Sequence, residues 1–116
     1  MDKLYTIYRN SQINLGIGLA NSSFTLTSLK GRDFTCPGVG ACYLTTYNWE
    51  IPIHYELGKE ILCYRSFEEL IEQYVFYRKR PEACLKIAQA AWHRGAAEHT
   101  NEIRFRKLFR EMGFKV

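Results

Sequence analysis

The chain has 116 residues, 47% hydrophobic and 24% charged, with no repeat or low-complexity tract, so it is one domain or part of one. A net charge of +4 suits an anionic ligand but falls short of the dense basic footprint of a dedicated nucleic-acid binder. No run approaches the ~18 apolar residues of a membrane span, and "MDKLYTIYRN" has no signal-peptide core, which makes the cytoplasm the default location.

In chain order, "DKLYTIYRNSQ" predicts a short helix with Leu4, Ile7 and Tyr8 on one face. "INLGIG", Ile13 to Gly18, alternates apolar with small or polar residues and reads as a strand ending in glycine. "NSSFTLTS" has no clear periodicity and is expected to be a loop. After it, "KGRDF" is a basic turn leading toward a buried Phe34, and "ACYLTT" is a short strand of β-formers. "YNWEIPIHYELGK" reads as irregular, broken by Pro52 and Gly58, and "EILCY", Glu60 to Tyr64, as a second buried strand.

The helical signals then sharpen. Ser66 and Glu69 frame a capping box, in which the serine oxygen takes the third amide of the helix and Glu69 reaches back. Phe67, Leu70, Ile71, Tyr74 and Val75 follow at helical spacing, and the basic "RKR" suits a helix C-terminus. Pro81 opens a second helix with Cys84, Ile87, Ala88 and Ala91 on its buried face, and Gly95 is its expected stop. Thr100 caps a third, where Phe105, Leu108, Phe109 and Met112 fall on the core spacing before Gly113. Strands alternating with helices, then helices alone, predict an α/β fold: a small parallel sheet of about three strands. Such sheets normally have more strands and both faces covered, so residues 1–116 read as a single partial domain, the C-terminal part of a larger Rossmann-like one.

Cys36, Cys42, Cys63 and Cys84 form no C-x-x-C pair, and His54, His93 and His99 are scattered. No zinc pattern results, and buried free thiols of a reducing compartment are expected. "GVG" is too short for a dinucleotide fingerprint. In "RFRKLFR" the aromatics take core positions, which favours a solvated helix face over a base-stacking platform.

Four phrases, in order, carry a family resemblance: "LKGRDF" with "PGVGACYLTT", then "ELGKEILCYRSFEELIE", then "IAQAAWHRGAAEHTNEIRFRKLF". From "INLG" to "KLF" the chain resembles the glycosyltransferase-like domain of the spore maturation protein CgeB family. The resemblance implies a GT-B type enzyme, with two Rossmann-like domains facing a cleft and the C-terminal one binding a nucleotide-sugar donor. It implies no metal cofactor, since basic side chains and helix amides would neutralise the departing diphosphate. Lys30 and Arg32 match the family's basic pair ahead of the donor-site helix, with diphosphate contact as the implied role. Gly38 and Gly40 match the glycine turn beyond it. Glu60, in the family's "G-K-E", either lines the donor pocket or satisfies backbone amides at the strand's start. Thr35 stands where the family commonly has a glutamate on the donor ribose. A hydroxyl can hydrogen-bond there but offers no charged, two-oxygen acceptor, which bears on donor binding and catalysis alike.

His99 and Arg104 match the family's "H-T…R" and are expected to be structural, Arg104 through a carboxylate or backbone carbonyls. Trp92 and His93 are expected at a helix surface or domain boundary. A full enzyme of this type carries an acceptor domain and the first half of the donor domain ahead of the matched segment. The 116-residue chain alone is therefore expected to be inactive. Its expected partners are a nucleotide-sugar and either a second copy of itself or a separately encoded N-terminal domain. A non-catalytic interaction module is the alternative reading, and a small nucleic-acid binder a weaker one.

Overall fold

A computed structural model describes residues 2–20 and 23–115. Helix α1 (Asp2–Asn10) leads into strand β1 (Asn14–Leu15), and the chain then makes a hairpin of β2 (Leu19–Ala20) and β3 (Ser23–Thr27). Helix α2 (Arg32–Gly38), strand β4 (Tyr43–Thr46), the short helix α3 (Ile51–His54) and strand β5 (Leu62–Tyr64) follow. The C-terminal part is α4 (Phe67–Arg78), α5 (Pro81–Arg94), a π-helical turn (Gly95–His99) and α6 (Asn101–Glu111).

The sheet is parallel in the order β1-β4-β5, with Asn14 opposite Tyr43 and Leu44 opposite Leu62. Every residue of β4 and β5 is buried, which is why both read as unbroken β-former runs and not as alternation. One side of the sheet packs Tyr43 and Cys63 against Cys36, Ile51 and Tyr55. The other packs Leu44, Leu62 and Tyr64 against Cys84, Ile87 and Ala88 of α5. This is the expected α/β architecture of a partial Rossmann-like domain.

All four cysteines are buried and free. Burial, with the Asp33 carboxylate nearby, pushes the Cys36 and Cys63 thiols up to about 12, so they stay protonated and unreactive at neutral pH.

Several expectations are corrected. The segment expected to be a loop forms the antiparallel β2–β3 hairpin, with Leu19 opposite Thr27. Phe24 packs against Tyr64 and Phe67, and Thr27 gives its hydroxyl proton to the Tyr47 carbonyl at 2.9 Å, which ties β3 to the end of the sheet. The stretch expected to be irregular contains α3, because Pro52 sits in a first turn, where its missing N–H is no loss. The α-helix α5 ends at Arg94 with Gly95 as its C-cap, as expected, but Gly95 does not break the helical path. It is buried in right-handed helical conformation, and the chain runs on through the π turn. A Cβ on Gly95 would approach the Gly38 Cα to 3.3 Å, so hydrogen is what lets α5 lie against α2. The capping box is half formed: Ser66 Oγ accepts from the Glu69 amide at 3.1 Å, while the Glu69 carboxylate accepts from Gln73.

The largest correction concerns the apolar faces of α4 and α6. Both helices form where expected, and Thr100 caps α6 by accepting from the Ile103 amide. Neither helix has a buried residue, however. Phe105, Leu108, Phe109 and Met112 have the core spacing without the core. The periodicity marked amphipathic faces correctly, but α4 meets the core only through half-buried Leu70 and Tyr77, with Phe67 against the Phe24 ring, and its Ile71, Tyr74 and Val75, like the α6 stripe, stay exposed.

Candidate functional site

In open parallel α/β sheets, ligands bind beyond the carboxyl ends of the strands, where loops converge on unpaired backbone. Here that edge is made of Ile17 and Gly18 after β1, Thr46 to Asn48 ending β4, and Arg65 after β5. Local bonds order it. The Gly18 amide donates to Thr46 Oγ1 at 2.9 Å, and the Ser28 amide to the Gly18 carbonyl at 2.9 Å. Asn48 is buried, giving its Nδ2 proton to the Thr27 carbonyl and taking the Glu50 amide on Oδ1. Tyr64 donates its hydroxyl proton to the Gly16 carbonyl at 2.8 Å. Gly16 must be glycine, since a Cβ would lie 2.2 Å from the Tyr43 hydroxyl.

Arg32 reaches this edge. It is the first residue of α2, not ahead of the helix as expected, and its Nη2 donates to the Ile17 carbonyl. Lys30 is exposed beside it, with its backbone amide donating to Asp33 Oδ2 at 2.7 Å. Arg65 is exposed at the end of β5, with its guanidinium 4.0 Å above the Tyr47 ring. Three cations thus border one end of the sheet.

Beneath them lies Asp33, buried at 4% exposure, which sequence reasoning missed. Its two oxygens are divided between the Lys30 amide and the Tyr43 hydroxyl, each at 2.7 Å. Burial and the Asp33 charge drive the Tyr43 hydroxyl well above the ordinary tyrosine value, so it remains a donor throughout. Asp33 ties the basic turn to the central strand. The signal was present in "KGRDF": an aspartate three residues after Lys30, placed to take the amide of a turn it follows. Arg65 was also legible, as the residue between a buried strand's end and a helix cap.

The other singled-out residues lie elsewhere. Thr35 is half-buried, donates its hydroxyl proton to the Gly31 carbonyl at 3.2 Å, and lines a 520 Å³ groove with Phe34, Gly38, His99 and Arg104. Gly40 has φ +79° and borders a different groove, of about 780 Å³, with Tyr5, Arg9, Trp92 and His93. That groove precedes β4 and so lies at the amino ends of the strands. Glu60 accepts from the Glu56 amide at 2.7 Å and pairs with Arg94 at 3.3 Å, the geometry of a backbone-satisfying carboxylate. Lys30, Arg32, Thr35, Gly38, Gly40 and Glu60 therefore do not converge on one cavity.

His99 and Arg104 make a packed junction. His99 Nε2 bonds the His54 carbonyl at 2.8 Å, and its ring contacts Phe34, His54 and Tyr55. Arg104 lies 4.6 Å above the Phe34 ring, so an aromatic face takes the place of the expected carboxylate or carbonyl partner. Burial first, then the His99 and Arg104 charges, hold the His54 pKa below its ordinary value. Trp92 is 49% exposed, at a helix surface as expected. Among the described residues, no three His, Cys, Asp or Glu side chains converge as metal ligands, and no helix is long and apolar enough to cross a membrane.

The family model described as glycosyl transferase-like matches residues 1–110. No curated protein and no solved structure matches the chain.

Proposed function

The chain belongs to the glycosyl transferase-like family, and on that premise we propose that it is the C-terminal, sugar-nucleotide-binding portion of a CgeB-like transferase of the GT-B type. The observation that carries this reading is the basic pair at the carboxyl edge of a parallel sheet, with Arg32 held against the Ile17 carbonyl. That contact is a neutral acceptor on an exposed guanidinium. A donor diphosphate, charged and able to take two N–H groups at once, competes favourably for it. Lys30 adds a mobile point charge, and Arg65 a third cation on the far side of the edge.

In this reading the departing nucleoside diphosphate is neutralised by side-chain cations, with no metal cofactor. Thr35, on the same helix as Arg32, gives its hydroxyl proton to the Gly31 carbonyl and so supports the turn that carries Lys30 and Arg32. Gly38 and Gly40, at the far end of that helix, and the Glu60–Arg94 pair lie away from this edge and support the fold, not the donor. The acceptor and the general base are contributed by the other half of the enzyme, so the 116-residue chain binds donor without transferring sugar.

The test is a thermal-shift screen of nucleoside diphosphates and their sugar esters. Wild type is expected to be stabilised by at least one of them, and Arg32→Ala by none. An equal shift in both proteins would refute the role of Arg32, and sugar transfer by the isolated chain would refute its inactivity.

A further inference from the structure

The groove of about 780 Å³ at the amino edge of the sheet has a built wall. Its volume falls within the roughly 300–1,000 Å³ of small-ligand sites. Leu85, Ala88, Gln89 and Trp92 line it as one face of α5, at i, i+3, i+4 and i+7. Tyr5 and Arg9, one turn apart on α1, complete the lining. Trp92 stands over Gly40, where a Cβ would come within 3.6 Å of its Cβ and Cδ1. The His93 ring meets the indole edge to face, with centroids 5.1 Å apart. The indole is thus braced from two directions and still 49% exposed.

Two further grooves continue this one. A groove of 240 Å³ shares Arg9 and Gly40 with it, and the 520 Å³ groove that reaches Arg104 shares Tyr5 and Val39. The three make a trough beside α1 that is longer than a single ring needs. No carboxylate lines any of them, and among the described residues Arg9 pairs with no acid. The permanent cations of the trough are Arg9 and Arg104 alone.

What fits is a chain of rings with sparse negative charge. A pyranose ring carries C–H groups on its face and hydroxyls on its rim. The C–H groups, weakly positive, suit the negative face of the indole. Tyr5 and Gln89 supply donors and acceptors for the hydroxyls, and the Arg9 fork matches a carboxylate. We propose that this trough binds an acidic, uronate-bearing oligosaccharide, with one sugar stacked on Trp92 and a carboxylate on Arg9. Single-stranded nucleic acid also stacks on aromatic rings, but its phosphate at every nucleotide calls for a denser cationic track. The site lies at the opposite edge of the sheet from Arg32 and does not rest on the donor reading.

The experiment is calorimetric titration of the full chain with tetrasaccharides of galacturonate and of hyaluronan, with neutral maltotetraose and tetrauridylate as comparators. Circular dichroism verifies the fold of each variant. At least one acidic tetrasaccharide is expected to bind more tightly than both comparators. Trp92→Ala is expected to weaken it at least about ten-fold, and Arg9→Gln to remove the preference for acidic over neutral sugar. Thermal stabilisation by nucleoside diphosphates is expected to be unchanged in Trp92→Ala, which keeps the two sites distinguishable. No saccharide binding at about 10 mM overturns the proposal, as does binding that Trp92→Ala leaves intact. Tighter binding of tetrauridylate would overturn it in favour of nucleic acid.

Discussion

At the scale of single residues, Asp33 carries more of the structure than its place in a basic turn suggests. Its carboxylate is the hydrogen-bond partner of the buried Tyr43 hydroxyl and of the Lys30 amide. Asp33→Ala would leave a buried O–H donor without its acceptor and free the turn that carries Lys30 and Arg32. An unsatisfied buried group is costly, so a destabilisation of about 2–3 kcal/mol is expected from the urea midpoint. Tyr43→Phe in the same background should cost much less than it does in wild type, because the orphaned donor is then gone. An additive double mutant would show that the two side chains are not coupled. In the sequence, Lys30 and Arg32 were visible as charges. What anchors them was not, because a buried carboxylate within a polar run looks like any other surface acid.

At the scale of elements, the sequence was most legible where local chemistry decides the outcome. Ser66 and Thr100 as helix caps, Pro81 in a first turn, and Cys84, Ile87, Ala88 and Ala91 as a buried face all follow from rules that act within one or two turns. The β2–β3 hairpin and the passage through Gly95 were not legible, because each depends on what lies opposite: the end of the sheet in one case, the Gly38 backbone in the other. The junction of α3, the π turn and α6 has a pH signature. The pKa of His54 lies below the histidine value of 6.5, mainly through burial, with His99 and Arg104 adding to the effect and Glu50 opposing it. The unfolded chain therefore binds the proton more readily than the folded one. The stability contributed by neutral His54 is complete above 6.5 and is lost as pH falls through the lower folded value. Melting temperature should drop between about pH 7.5 and 5.5, before most carboxylates titrate, and the drop should be shallower in His54→Gln. Identical pH profiles for the two proteins would assign the effect to another group.

At the scale of the whole molecule, three parallel strands and their helices form a core with two sides, to which α4 adds only the half-buried Leu70 and Tyr77 and α6 no buried residue. Hydrophobic periodicity reports which face of a helix avoids water, not whether that face is covered within the same chain, so Phe67 and Phe105 looked like core residues and are not. The site divides similarly. The basic pair and its position after the first strand were readable from the residues and their family resemblance, whereas the separation of Thr35, Gly40 and Glu60 into different surroundings emerges only from the folded chain. Two places therefore compete for a ligand: the cationic carboxyl edge of the sheet, and the larger groove of Tyr5, Arg9, Trp92 and His93 at its amino edge. Amide chemical-shift mapping with a nucleoside diphosphate separates them directly. Donor binding at the carboxyl edge requires the perturbed amides to cluster at Ile17 and Gly18, Gly31 and Arg32, Tyr47 and Asn48, and Arg65, and to fall silent in Arg32→Ala. Perturbations confined to Arg9, Gly40, Trp92 and His93, or none at millimolar nucleotide, would contradict it.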